Sequence, residues 1–313
     1  MASTNNYPLF NKGISENFLL RLNTYDPEWR RIFHVHGTGD RYIWHQGWKG
    51  YALPQARIPG GRIAQSEFQP DFGKVYIMQL FALGDAVPQE DIDDDIYAVY
   101  KFALATKGGL MANSFMNLWQ YRTAGFFQSQ GFASGSTVAG MSDGKSLFNT
   151  AHPIAASTLG ITYANRPSVD ADLSVATWQA ACVALWTQKA PDNLTFLRNR
   201  PKKLVINPAL SYVAWQIRHG KWQPFSADRT ENRIAEEGVE IIEWPYFQKS
   251  GATGTNNAWF MIGEQHYLNF FMRQAPYSKT DYDFGTNSQL VAMHTRGDYG
   301  ASSPLGTYGS AGK

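Results

Sequence analysis

Hydrophobic positions change period several times along the chain, and the longest helical run lies between Pro88 and Gly131. Ile92, Ile96, Val99 and Ala103 recur at helical spacing. Met111, Phe115, Leu118, Arg122 and Phe126 repeat the spacing shifted by one position. Pro88 suits the first helical position and Glu90 the third, while Asp91, Asp93, Asp94 and Asp95 load the positive end of the dipole. Gly131 supplies a stop. The pattern predicts a spine helix over residues 88–130, which at about 1.5 Å per residue reaches roughly 60 Å. Gly108 and Gly109 interrupt it, and two such glycines cost a helix about 2 kcal/mol relative to alanine. A kink or short break is expected there.

The remaining elements are shorter. Residues 1–45 are weakly periodic, with Phe18, Arg21, Tyr25, Trp29, Arg30, Arg31 and Phe33 scattered through them. They read as an arm with one short helix near residues 14–22. Residues 46–84 read as an extended two-stranded hairpin. Its tip lies near Arg57, Pro59, Gly60, Gly61 and Arg62, and its return strand runs from Lys74 to Phe81. Too few apolar residues surround that tip to bury it in its own domain. Arm and hairpin are therefore expected to gain their burial on neighbouring copies.

Further along, Asp172 is placed to cap a helix with Val175, Trp178, Cys182, Leu185 and Lys189 on one face, closed by Pro191. A strand at Leu204–Asn207 ends at Pro208. Leu210, Val213, Ala214 and Ile217 mark a helix that stops at Gly220. A polar loop from Lys221 to Gly238 precedes strands at 239–244, 258–262, 267–274 and 289–296. The tail from Asp298 is rich in glycine and serine. The fold class is α+β.

Charge narrows the function classes. The 313 residues carry 28 Lys and Arg against 26 Asp and Glu, so no basic excess points to sequence-specific nucleic-acid binding. Only 17% of residues are charged and 14% are aromatic, whereas ordinary domains are about 25% charged. Such a surface suits extensive subunit contacts, which resemble a core cut in half. Cys182 is the only cysteine, which excludes intramolecular disulfides and thiolate metal clusters. The amino terminus lacks a secretory pattern, and no run of about 18 apolar residues could span a bilayer. A reducing cytoplasm is the expected site of synthesis, with no membrane partner.

Candidate chemistry is sparse. His34 and His36, with Asp40 and His45 nearby, could be metal ligands, but an H-x-H in a strand or loop is more often structural. Lys145, Ser146 and His152 lie close in the stretch 142–153, yet no G-x-x-x-x-G precedes Lys145 and no strand–elbow–helix frames Ser146. That stretch reads as a structural turn. A hydrolase built on His152 with Asp143, or on His34 with His36, would need a base within reach of a reacting group. The acids at 91–95 could hold a divalent cation, though helix-start electrostatics explains them more simply. No cofactor is expected, and the Arg296-Gly297-Asp298 tripeptide and the Asn193-Leu194-Thr195 sequon are taken as chance matches.

Several segments together resemble a family. A return strand runs into the acidic stretch 84–95, followed by the long helix and the loop Asp143-Gly144-Lys145-Ser146-Leu147-Phe148-Asn149-Thr150-Ala151-His152-Pro153. Then come Lys202 to Pro208, Val239 to Ile242 and the closing stretch 296–300. Over residues 45–310 this resembles the major capsid protein of tailed double-stranded-DNA phages, of the Mu-like prophage head type. The resemblance implies the Hong Kong 97-type fold, with an arm at 1–45, an extended loop at 46–84 and a peripheral domain at 85–208. An axial domain at 209–288 and a return strand with tail at 289–313 complete it. It further implies pentamers and hexamers in an icosahedral head around packaged DNA, in a virion assembled in a bacterial cytoplasm. Arg57, Gly60, Gly61, Arg62, Asp91 and Asp94 become candidate inter-subunit contacts, and Arg21, Arg30 and Arg31 candidate DNA-facing groups. The partners implied are a portal, a decoration protein and a scaffold, the last expected as a separate chain because no scaffolding extension precedes residue 1. No Lys–Asn crosslinking pair with an activating carboxylate can be placed. A cargo-holding bacterial compartment of the same fold is the alternative.

Overall fold

A 28-residue helix with one buried face organises much of the computed structural model. The structure describes residues 7–54, 56, 57, 59, 62, 63, 65–90, 94, 99–132, 141–156, 160–220, 222, 231–247 and 257–313. In chain order the first elements are α1 (Tyr7–Thr24), α2 (Glu28–Ile32), β1 (His34–Gly37), β2 (Tyr42–Lys49), β3 (Gln69–Ile77) and β4 (Gln79–Pro88). Next come α3 (Val99–Phe126), a π-helical turn at Phe127–Gly131, β5 (His152–Pro153), β6 (Thr162–Tyr163), α4 (Val175–Thr187) and β7 (Pro201–Ile206). The last are α5 (Ser211–His219), β8 (Glu240–Glu243), β9 (Trp259–Gly263), β10 (Leu268–Asp283), β11 (Ser288–Ala301) and β12 (Thr307–Ser310). The chain forms two compact units, one from Met1–Ile43, Ile77–Arg122 and Phe270–Tyr299, the other from Trp44–Tyr76, Thr123–Asn269 and Gly300–Lys313.

In the first unit β1, β10, β11 and β4 make a four-stranded sheet, with β11 and β4 antiparallel from Ser288↔Pro88 to Gly297↔Gln79. The expected face of α3 is the one it buries: Met111, Ala112 and Phe115 join Val291 and Met293 around the fully buried Phe18. Trp119 meets Phe270 and Phe81 edge-on at 5.0 and 5.2 Å, and Trp29 stacks on Phe270 at 4.2 Å.

Four expectations are corrected here. The helix runs unbroken through Gly108 and Gly109. Burying large side chains at about 1.5–3 kcal/mol each outweighs the intrinsic cost of two glycines. Pro88 ends β4, and Gln89 and Glu90 are the helical residues that follow it. The leading helix covers residues 7–24, longer than the expected 14–22. Phe18, Trp29, Ile32 and Phe33 are buried by the chain itself, so this part of the arm needs no sister copy.

The second unit is built on the order β12-β9-β7-β8, with β7 parallel to β8 and antiparallel to β9. α4 and α5 cover one face, where Trp178, Leu185, Ala214 and Ile217 meet Leu204, Ile206 and Met261. Ser174, not Asp172, caps α4: its side chain accepts the Thr177 N–H in a reciprocal capping box. Phe127 stacks on Phe260 at 4.4 Å and Phe132 on Phe148 at 4.6 Å, forming a second cluster with Phe247. The glycine-rich tail is ordered by pairing: β12 adds to β9 and its four residues are buried. Gly306 makes the approach possible, since its φ is +77° and a Cβ there would sit 1.9 Å from the Gln265 carbonyl oxygen.

Candidate subunit-contact surface

The expected hairpin is present as β2 and β3, a two-stranded sheet. Its return strand divides at Met78, because the backbone partners change there: Met78 N–H donates to the Arg41 carbonyl at 3.0 Å, and Ile77 N–H to Asp298 Oδ2 at 2.8 Å. Beyond the paired strands, every described residue from 51 to 68 is exposed, including Tyr51, Leu53, Ile63 and Phe68. Trp48 stacks on Phe68 at 4.4 Å, yet both rings stay about half exposed. This end of the hairpin gains almost no burial from its own chain.

The root of the hairpin is fixed. Gln46 donates to the Asp71 carbonyl at 2.5 Å and accepts from Trp44 Nε1 at 2.9 Å. Gly73 packs opposite, where an added Cβ would lie 2.6 Å from Gln46 Oε1 and 2.7 Å from Trp44 Nε1 and so displace that hydrogen-bonded pair. Asp71 Oδ1 accepts the Ala156 N–H at 2.8 Å, tying β3 to the loop that carries β5. On the other side, a turn organised by Asp192 meets Gly50, where an added Cβ would be 3.1 Å from Asp192 Cβ. Partial burial pulls the Asp192 carboxyl upward, but bonds from the Thr195 hydroxyl and from the Thr195 and Leu194 amides hold it below the usual range. A cavity of about 160 Å³ opens at this root, lined by His45, Trp48, Asp71, Asp143, Tyr163 and Tyr267 among others. Burial, then the Asp143 and Asp71 charges, push the Tyr163 hydroxyl well above its ordinary value, so it stays protonated.

The loop at 142–153 is a structural clamp, as its residue pattern implied. His152 is fully buried; Nδ1 meets Asp143 Oδ2 at 2.6 Å and Nε2 meets the Leu147 carbonyl at 3.1 Å. Both ring nitrogens are thus engaged by groups of the loop itself. Asn165 closes the clamp, donating to Leu147 O at 2.7 Å and accepting the Asn149 N–H at 2.8 Å. Ser146 is fully buried, and its Oγ donates to Phe148 O at 3.0 Å and accepts from Asn149 Nδ2 at 3.3 Å.

The other singled-out residues are scattered. Arg57 and Arg62 are exposed near the hairpin tip, while Gly60, Gly61 and Asp91 lie outside the described residues. Asp94 is exposed and its N–H donates to Glu90 O at 2.9 Å. Arg21, Arg30 and Arg31 are exposed, and Arg30 lies over the Trp29 ring at 5.5 Å. His34 and His36 are exposed on β1, with His36 stacked on Phe271 at 5.3 Å. Among the described residues no group of three His, Cys, Asp or Glu is arranged to hold a metal. Burial, followed by the Glu237 charge, pushes the Cys182 thiol up to about 12, which makes it a poor nucleophile. Sequence reasoning missed the exposed rings of Trp44 and Trp48 and the Asp192 turn. The period-two alternation of β2 held the first signal, since Trp44, Gln46 and Trp48 fall on one face.

Solved structures match most of the chain. The capsid of a native GTA particle matches with a TM-score of 0.56 at 14% identity, covering 90% of this chain and 88% of that one. The capsid of the cyanophage P-SCSP1u gives 0.54 at 11% identity, over 90% and 87%. The mature capsid of bacteriophage PhiM1 gives 0.51 at 11% identity, over 91% and 86%. No protein-family model matches the chain, and no curated protein sequence matches it. The fold is the α+β, Hong Kong 97-type fold of these capsid subunits.

Proposed function

We propose that this chain is a major capsid subunit that assembles into an icosahedral phage head around double-stranded DNA. The observation that carries the reading is the hairpin end, where every described residue from 51 to 68 is exposed although Tyr51, Leu53, Ile63 and Phe68 lie among them. Burying what remains exposed of these four side chains on a neighbour is worth roughly 4–8 kcal/mol before ordering costs. A clamped root and an unsatisfied end are what a subunit that reaches over its neighbour requires. In this reading residues 1–45, 46–84, 85–208, 209–288 and 289–313 act as arm, extended loop, peripheral domain, axial domain and return segment. Arg57, Gly60, Gly61, Arg62, Asp91 and Asp94 contribute to contacts between copies. Arg21, Arg30 and Arg31 face the packaged DNA and meet its phosphates without reading sequence. A portal, a scaffold and a decoration protein are the further partners of such a head, which is built in the host cytoplasm and becomes part of the virion.

The test is to express the chain alone and with its neighbouring head genes, then combine sedimentation velocity with negative-stain imaging. Capsomers or closed particles support the reading. Persistent monomers under both conditions overturn it. Particles holding a packaged enzyme in place of DNA would assign the chain to a cargo compartment.

A further inference from the structure

β10 and β11 extend well beyond the strands expected at 267–274 and 289–296, and their connecting turn holds one phenylalanine in water. Phe284 is 90% exposed, and its ring meets that of Tyr282 edge-on at 4.9 Å between centroids. The turn beneath it is heavily bonded. Asp283 accepts the Gly285 N–H at 2.9 Å and the Thr286 hydroxyl at 2.8 Å. Asn287, at φ +47°, donates to Glu90 Oε1 at 2.7 Å, and its carbonyl accepts the Gln89 N–H at 2.9 Å. A floppy tip would cost ordering entropy when it docks, whereas this one is already ordered.

The same unit carries a matching recess. A groove of about 370 Å³ lies between β4 and α3, lined by Leu80, Phe81, Leu83, Ser114, Phe115 and Leu118 among others, with no charged side chain in its wall. Leu80 and Leu83 are 52% and 41% exposed there. An apolar cavity of about 150 Å³ suffices for benzene, so a phenyl ring fits. Phe284 cannot reach the groove of its own chain. The β4–β11 register sets Leu83 opposite Met293 and Pro88 opposite Ser288, so the turn lies at least five residues past Leu83, or about 17 Å along the strand. Charge fits as well. The turn carries Asp281 and Asp283, and Glu90, which follows β4, is held beside it by Asn287. Arg122, 4.5 Å over the Phe81 ring, lies on α3 beside the groove, while Lys107 on its other side is already paired to Asp85 at 2.8 Å.

We infer that Phe284 of one copy inserts into the β4–α3 groove of a second copy, a knob-and-recess contact between different patches of identical chains. Contacts of this heterologous kind build rings or extended lattices rather than closed pairs. The inference rests on the shell reading above and assigns one of its contacts. A single phenylalanine buries only about 150–250 Å², against about 800 Å² per partner in a standard interface, so the contact adds to others and does not hold copies together alone.

The experiment uses the full chain with its native thiol removed by Cys182→Ala, carrying Phe284→Cys and Leu83→Cys, both at exposed positions, together and singly. Particles are assembled, mildly oxidised and run on non-reducing gels. Disulfides form only where Cα atoms approach within about 7 Å. Linked dimers and longer ladders are expected from particles of the double variant, or from particles co-assembled from the two single variants. They should be absent from unassembled subunits and from particles of either single variant. As a second readout, Phe284→Ala should lower particle yield at least threefold while leaving the subunit folded. Particles that form normally but show no link overturn the contact and leave the shell reading intact. Linking by Phe284→Cys alone means that tips meet tips and also overturns it. A wild-type chain that never forms particles removes the shell reading and this contact together.

Discussion

Replacing His152 by alanine probes the clamp that sets the hairpin root. The imidazole is fully buried and the Asp143 side chain is 3% exposed. Removing the ring leaves the carboxylate buried with the Lys145 N–H, 3.0 Å away, as a partner, and it strips Leu147 O of one of its donors. Breaking a buried pair from one side costs about 3–5 kcal/mol, a large part of the 5–15 kcal/mol that holds a typical protein folded. At a urea slope of about 2 kcal/mol per M, the midpoint should fall by roughly 1.5–2.5 M. Urea titration of unassembled subunits is followed by tryptophan fluorescence, to which buried Trp178, Trp244 and Trp259 of the same unit contribute. Changing both partners to leucine removes both polar groups and should recover at least half of the loss. The reasoning fails if His152→Ala moves the midpoint by less than about 0.5 M, or if the double variant is no more stable than the singles.

Other outcomes follow from the same structure. Phe68→Ala and Trp48→Ala, at half-exposed positions, should change subunit stability by less than about 1 kcal/mol yet sharply reduce particle formation; equal loss of both would make the rings part of a core. Cys182, with its thiol pushed up to about 12 from 9.0, should react with a disulfide reagent about a thousandfold more slowly at pH 8 than an ordinary thiol, gaining tenfold per pH unit; rapid labelling of the folded subunit would contradict this. Glu90 is held below its ordinary value first by Asn287, and Asp283 by the Gly285 amide and the Thr286 hydroxyl. Depressed values mean that these bonds contribute above the ordinary carboxylate range and are lost as pH falls through the folded values. Carboxyl NMR titration of Asn287→Ala should show Glu90 returning upward, and an unchanged midpoint would sever that link.

Much of the architecture was legible because burial imposes a period on sequence. The α3 face at Met111, Phe115 and Phe126 and the exit at Gly220 lie where the pattern put them, and the strand expected at 204–207 is found at Pro201–Ile206. What was missed depends on long-range partners. A local propensity cost predicted a break at Gly108 and Gly109, but the tertiary burial of Phe115 and Trp119 overrides it. The tail from Asp298 looks like linker by composition, and only the free edge of β9 makes a strand of it. Ser174 and Asp172 both suit a cap, and the Thr177 hydroxyl decides between them. For the contact surface, the exposed hairpin tip could be read from its Pro, Gly and Arg residues. Phe284 could not, because nothing local distinguishes a phenylalanine held in water from one in a core.

The central claim is that residues 51–68 find their burial on a sister copy. Hydrogen exchange measured on free subunits and on assembled particles tests it most directly. The account predicts fast exchange across 51–68 in the free subunit and protection of at least a hundredfold in particles, with the Leu204–Ile206 strand equally protected in both. Fast exchange of 51–68 in intact particles would contradict it.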